Sequence, residues 1–204
     1  MSDRPLVLAS GSPRRAELLR QAGIRFEVSV PDVDETLHPG EAPEAYVRRL
    51  AAAKARHVAA SHPGRPVLGA DTTVVVDGQV LGKPYDAADA ARMLGQLSGR
   101  SHLVLTGVCL IGPAGETRID AAVTTVEFRA LQAAEIGEYV DSGEPMDKAG
   151  GYAIQGIAGA FVVKLVGSYS AVVGLPLNET VGLLAGEGYP VHFNWLNQST
   201  LTAV

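Results

Sequence analysis

The sequence predicts an α/β protein, a mixed and twisted sheet flanked by helices, with two lobes around a central cleft. Three observations point there. Strand and helix patterns alternate through the first half of the chain. Val67–Val76 is a run of small and β-branched residues, the pattern of a strand buried on both faces. Two long strand patterns, 102–111 and 117–128, then follow each other across Gly112-Pro113-Ala114-Gly115. A long adjacent pair of this kind suits a second lobe.

In order along the chain, residues 5–9 read as a short buried strand and 13–22 as a helix with Leu18, Leu19 and Ala22 on one face. Pro13 suits the first helical turn, where its missing N–H is one the helix leaves unpaired. Gly23 is placed to close that helix as a left-handed cap. Phe26, Val28 and Val30 alternate as a second strand, and 31–40 is a polar, acidic loop. Residues 41–62 have helical periodicity in Tyr46, Val47, Leu50 and Val58. After the 67–76 strand, Asp77-Gly78 is a tight-turn signal that returns the chain through Val80 and Leu81 as a hairpin. Residues 86–97 form a helix with Asp86 as N-cap and Gly99 beyond its end. A helix at 131–140, a Gly-rich stretch at 143–159, a strand at 160–166 and a closing helix at 177–185 complete the pattern. The chain reads as one domain over 1–204 with an ordered core at 4–187, and the polar tail after Gly188 is expected to be poorly ordered.

Composition narrows the function. The 204 residues are 47% apolar and 19% charged, an ordinary globular balance that can bury a substantial core. A formal net charge of −5 argues against a general polynucleotide binder, which needs a basic face. A polyanion site must therefore be local, a cluster of Arg and Lys in a cleft helped by a metal ion. Cys109 is the only cysteine, so a disulfide framework and a Cys-based zinc site are excluded, and it reads as a small buried hydrophobe. His38, His57, His62, His102 and His192 show no i,i+4 metal pair and no triad spacing, and are expected to be surface or hydrogen-bonded residues. A metal would be a hard cation on carboxylates. No basic-then-apolar leader and no apolar run of membrane-spanning length is present, so the expectation is a cytoplasmic protein without a membrane partner.

Chemistry concentrates in a few segments. Leu8-Ala9-Ser10-Gly11-Ser12-Pro13-Arg14-Arg15 places two arginines on a Gly/Ser/Pro loop that opens a helix. Free N–H groups and the positive dipole end favour an anion there, and guanidiniums can grip phosphate through paired hydrogen bonds. Asp71, in Gly69-Ala70-Asp71-Thr72, is a carboxylate within an apolar strand, costly unless paired or metal-bound. Burial would raise its pKa and a nearby cation would lower it, which leaves base and metal ligand both open. Lys83, in Leu81-Gly82-Lys83-Pro84, reads either as a phosphate contact or as a solvated turn, and the glycine spacing is not that of a P-loop. The segment 144–156 combines opposite charges with glycines that admit close ligand approach, and Gln155 offers both an amide donor and an acceptor. Asn178 and Glu179 on the last helix read as solvated or capping residues rather than cleft residues.

Together these segments resemble the Maf family, the septum-formation-inhibitor-like nucleoside triphosphate pyrophosphatases. The blocks are Ala-Ser-Gly-Ser-Pro-Arg-Arg, Gly-Ala-Asp-Thr at 69–72, Gly-Lys-Pro at 82–84, Leu-Ser-Gly at 97–99, Glu-Pro-Met-Asp-Lys-Ala-Gly at 144–150, Ile-Gln-Gly at 154–156 and Val-Gly-Leu-Pro at 173–176. The resemblance runs from Leu8 to about Leu184. It implies a Maf/inosine-triphosphatase-like fold and hydrolysis of a nucleoside triphosphate to monophosphate and pyrophosphate with a divalent cation, Mg or Mn. By position, Asp71 matches the catalytic base and a metal ligand, Glu35 the nearby metal-binding acid, and Arg15, Lys54 and Lys83 the basic residues around the phosphates. Ser10 and Ser12 match substrate-binding positions. The acid before Glu35 is Asp34 rather than a second Glu, a departure that leaves Asp34 without an assigned role. Arg14, Thr72 and Gln155 match the subgroup acting on dTTP and UTP, whereas the subgroup resembling 7-methyl-GTP hydrolases carries an aromatic residue and Glu at the first and third of these positions. Amide chemistry agrees, since Gln can donate to a uracil or thymine carbonyl and accept from N3–H. The resemblance also suggests a homodimer. Two alternatives stay open: a pyrophosphatase for 7-methyl-GTP or another modified nucleotide, and a nucleotide-binding regulator of septum formation.

Overall fold

The computed structural model describes residues 5–189. Its elements are β1 (Leu6–Ala9), α1 (Pro13–Gln21), β2 (Phe26–Val28), α2 (Pro43–Ala59), β3 (Val67–Val76), β4 (Gln79–Leu81), α3 (Ala87–Leu97), β5 (Ser101–Ile111), β6 (Thr117–Phe128), α4 (Ala133–Asp141), β7 (Val162–Val166), α5 (Tyr169–Val173) and α6 (Leu177–Gly186). The strands form one seven-stranded mixed sheet in the order β2-β1-β3-β5-β6-β7, with β4 paired to β3 off this path. β1 runs parallel to β2 and β3, and the β3–β5–β6–β7 neighbours are antiparallel. Asp77 and Gly78, at φ 51° and 74°, make the turn into β4, as a two-residue hairpin of that hand requires.

Strand alternation assigns the faces. Val67 and Cys109 pack under Ala51, Ala52 and Ala55 of α2 on one face. The opposite face carries two apolar bodies. One joins Leu68, Ala70, Val108 and Leu110 to α1 and α6. The other joins Val74, Val104, Val126 and Phe128 to α3, α4, Tyr152 and Phe161. Val74, Val104 and Tyr152 of one body and Val173 of the other line a single cleft, whereas the two long strands expected to suit a second lobe pair within the same sheet as β3.

The small-residue content of β3 and β5 has a specific use. A Cβ at Gly69 would lie 2.4 Å from the Ala51 carbonyl oxygen, and one at Gly107 would lie 2.5 Å from that of Val47. The absence of side chains at both positions lets the α2 backbone rest directly on the sheet, and this sets how far Lys54 of α2 stands from β3.

Several boundaries differ from the sequence expectations. α2 begins at Pro43, the residue suited to a first helical turn. Glu41 stays outside the helix, held by Arg49 at 2.6 Å and by the His38 N–H. α4 begins at Ala133 because the Leu131 N–H is taken by Ser98 Oγ at 2.8 Å. β7 begins at Val162, since Ile157–Phe161 winds as a 3-10 turn. β2 ends at Val28, and Val30 lies beyond it on the cleft wall. α5 was not anticipated. Its N-cap Ser168 accepts from the Ala171 N–H, and Gly174 at φ 134° ends it. The tail expected to be poorly ordered lies outside the described residues, as does His192.

Candidate active site

Because β1, β2 and β3 are parallel, their C-terminal ends open toward the same side, where ligands bind in open α/β sheets. Ala9, the last residue of β1, pairs with Gly69, so Asp71 stands two residues beyond that edge, beside the turn that carries Ser10 to Ser12 into α1. The loop after β2 brings Glu35 to the same place. The resulting cleft has a volume of about 640 Å³ and is lined by all ten residues expected at the site: Ser10, Ser12, Arg14, Arg15, Glu35, Lys54, Asp71, Thr72, Lys83 and Gln155.

At its floor the ammonium of Lys54 donates to Asp71 Oδ1 at 2.7 Å and lies 2.6 Å from Glu35 Oε1. Lys54 and Asp71 are buried, whereas the Glu35 side chain is 49% exposed. Burial pushes the Asp71 carboxyl above its ordinary range, against the opposing charges of Lys54 and Arg15. Burial also works to raise Glu35, but the Lys54 hydrogen bond and the charges of Lys54, Lys83 and Arg15 hold it below its usual value.

Thr72 faces the other side of β3, where Arg15 takes up a fixed position. Its guanidinium donates to the Gly174 carbonyl at 2.8 Å, to Ser10 Oγ at 3.1 Å and to Thr72 Oγ1 at 3.3 Å. Thr72 in turn meets Thr106 Oγ1 at 3.0 Å, and Thr106 donates to the Ala171 carbonyl. The α1 N-terminus has no side-chain cap, and its Ser12 N–H turns to Ser10 Oγ at 3.1 Å. Arg14 reaches across to Asp147 at 3.2 Å, and Asp147 also accepts from Lys148. Lys83 is exposed on the rim. Gln155 is exposed and lines the same cleft.

Tyr46, Lys148 and Gly174 line the cleft without having been singled out in the sequence. The Val-Gly-Leu-Pro block was the available signal for Gly174, whose carbonyl holds Arg15. Asn178 and Glu179 are absent from the lining. Asp34 is absent from the cleft lining and accepts from the Thr36 N–H and hydroxyl, at 2.9 and 2.6 Å. His102 is a partial correction: it is buried, with Nε2 on the Tyr152 hydroxyl at 2.8 Å but with Nδ1 lacking a partner among the described residues. Among those residues no group of three or more His, Cys, Asp or Glu is arranged to hold a metal ion. The two carboxylates that converge, Glu35 and Asp71, do so around one point now filled by the Lys54 ammonium.

A dTTP/UTP pyrophosphatase of Myxococcus xanthus is 58% identical over 186 residues, 91% of this chain and 94% of that protein. One from Symbiobacterium thermophilum is 55% identical over 186 residues, 91% of this chain and 95% of the relative. Among solved structures, the Staphylococcus aureus Ham1 protein overlaps 61% of this chain and 72% of its own at 19% identity, with a TM-score of 0.45. No helix among the described residues is long and apolar enough to cross a membrane. The family described as Maf-like protein matches residues 5–187, and with relatives this similar over nine-tenths of its length the chain belongs to that family.

Proposed function

We propose that this chain is a nucleoside triphosphate pyrophosphatase acting on dTTP and UTP, cleaving between the α- and β-phosphates to release the monophosphate and pyrophosphate. One observation carries the reading: a buried carboxylate, Asp71, is held by Lys54 in a cleft also lined by Arg14, Arg15 and Lys83. The relatives named for that activity, matched over more than nine-tenths of their length, support the substrate.

In this reading Asp71 accepts the proton of the water that attacks the α-phosphorus, and its raised pKa brings it nearer the working range of a general base. Arg15, locked by three hydrogen bonds, meets the phosphate chain without reorganising. Lys54 and Lys83 add charge against the developing pyrophosphate. Catalysis is then mostly positioning and electrostatics, as is general in phosphoryl transfer. Glu35 and Asp71 suit a divalent cation held by one or two carboxylates plus substrate phosphates, the arrangement magnesium favours. Such an ion, when bound, would neutralise phosphate charge and polarise the anhydride. Gln155, exposed on the cleft lining, is free to pair its amide with the O4 and N3–H edge of thymine or uracil. A homodimer and a cytoplasmic location belong to the same proposal, and light scattering checks the first.

The test is pyrophosphate release from dTTP, UTP, CTP, 5-methyl-UTP, GTP, 7-methyl-GTP and ITP with Mg²⁺ or Mn²⁺. Fast release from dTTP and UTP with poor purines is expected. Preferred release from 7-methyl-GTP would move the chain to the other subgroup, and folded protein inert toward every triphosphate would favour the regulatory binder.

A further inference from the structure

The Gly-rich segment that carries Gln155 is fixed at both ends by the same pair of side chains. Gln155 is the third residue of a turn closed by the Gly156 N–H on the Ala153 carbonyl at 3.0 Å. On the upstream side, the Ala153 N–H donates to Tyr139 Oη at 3.2 Å. On the downstream side, the Ile157 N–H donates to Glu144 Oε2 at 3.1 Å and the Ala158 N–H approaches Glu144 Oε1 at 3.4 Å. Tyr139 Oη in turn donates to Glu144 Oε1 at 2.9 Å, so the two anchors are one hydrogen-bonded unit. We infer that Tyr139 and Glu144 form a tether that positions Gln155 against the nucleobase, and thereby set the base preference of the site without touching substrate.

Three features support this. A Cβ at Gly156 would lie 2.2 Å from Glu144 Oε2. The glycine therefore admits the close approach of the carboxylate. Tyr139 is 3% exposed and stacked edge-on against Phe161 at 5.2 Å, so its hydroxyl is a rigid point of attachment. Burial and the Glu144 carboxylate push the Tyr139 phenol far above its ordinary range, which keeps the proton available for the bond. The Gln155 side chain makes no hydrogen bond to any described residue, so backbone placement is what aims it. An amide that must donate to one base atom and accept from its neighbour is sensitive to such placement, because a misaligned hydrogen bond loses most of its strength.

The inference rests on the proposed pyrimidine reading, with Gln155 as the base-reading residue. Its test is equilibrium binding of the α,β-methylene analogues of dTTP and N3-methyl-dTTP, with Mg²⁺, to wild type, Tyr139→Phe, Glu144→Ala and Gln155→Ala. The methyl group removes the N3–H and blocks that edge to an amide in either orientation, so the affinity ratio reads whether the amide pairs there. The parent is expected to prefer the unmethylated analogue. Tyr139→Phe and Glu144→Ala are each expected to narrow that ratio on the order of tenfold, as loss of one well-made hydrogen bond does. In the Gln155→Ala background neither change should narrow it further, the non-additivity of residues acting through one group. Variants that melt earlier yet keep the parental ratio would overturn the tether and leave Glu144 a structural cap of the 157–161 turn. A parent that binds both analogues equally would overturn it too. Failure of the pyrophosphatase reading shows separately, as absence of turnover in the parent with dTTP itself.

Discussion

Asp71 and Thr72 are neighbours in β3 that serve opposite sides of the sheet, Asp71 bonded to Lys54 of α2 at 2.7 Å and Thr72 to Arg15 of α1 at 3.3 Å. The period-two alternation of a strand thus splits the site, with the carboxylate and its ammonium on one side and the guanidinium on the other. Replacing Asp71 by Asn keeps the shape and removes the base. Turnover with dTTP is expected to fall on the order of 10²-fold or more with an unchanged circular dichroism spectrum. Turnover near that of wild type would take Asp71 out of the mechanism.

Lys54 controls how readily Asp71 holds its proton. Burial raises the carboxyl and Lys54 is the largest opposing charge. In the metal-free protein the Asp71 carboxyl is therefore expected to titrate above the ordinary aspartate range near about 4, a rise that a bound cation opposes. In Lys54→Met that titration, followed by carbon-13 NMR of the carboxyl without metal, should move to still higher pH. An unshifted titration would show that Lys54 does not hold the Asp71 charge.

The helix–strand alternation, the hairpin at Asp77-Gly78 and the two long mid-chain strands were legible because each depends on local periodicity or turn chemistry. The site was legible in part for a similar reason. A carboxylate inside the apolar 67–76 run and paired arginines at a helix start are anomalies that local rules flag. What the residues alone did not reveal is pairing across distance: Lys54 with Asp71, Arg15 with the Gly174 carbonyl, and Glu144 with the 157–158 backbone. The short α5 went unseen because its five residues give no helical period to detect, and its stability comes from the Ser168 cap and from packing. His102 stood in a strand pattern like any exposed histidine, and only the arrival of Tyr152 and Phe128 buries it.

Gln155→Glu replaces an amide that both donates and accepts with a carboxylate that only accepts. Preference for dTTP and UTP over purine triphosphates is expected to fall, chiefly through a higher KM, while kcat on the best substrate changes little. The comparison of kcat/KM across the triphosphate panel checks this. An unchanged pyrimidine preference would remove Gln155 from base recognition.

Gly69→Ala tests the link between packing and catalysis. Its Cβ would meet the Ala51 carbonyl at 2.4 Å and the Ala55 nitrogen at 2.7 Å, so α2 must lift away from β3. Overpacking of this kind costs about 1–3 kcal/mol, measurable as a lower denaturation midpoint. Because Lys54 rides on α2 and Asp71 on β3, the same displacement should reduce kcat in the fraction that remains folded. Lost stability with full activity would show that the Lys54–Asp71 distance tolerates the shift.

His102 supplies a pH dependence of stability distinct from that of the site. Burial lowers its pKa from 6.5 to about 4, and no acid faces it to compensate. The unfolded chain therefore binds a proton more readily than the folded one between these values. The resulting stability is present above pH 6.5 and is lost as the pH falls through that window toward 4, by about 3 kcal/mol in all. His102→Gln, which keeps a partner for the Tyr152 hydroxyl but cannot be charged, is expected to melt with a flatter dependence over the same range. Tyr152 also lines the cleft, and His102 stands edge-on to both it and Phe128. Acidification should accordingly weaken nucleotide binding more steeply in wild type than in His102→Gln, the Asp71 contribution being common to both. Parallel melting curves for the two proteins from pH 7 to 4 would show that His102 is solvated in the folded state and carries no such linkage.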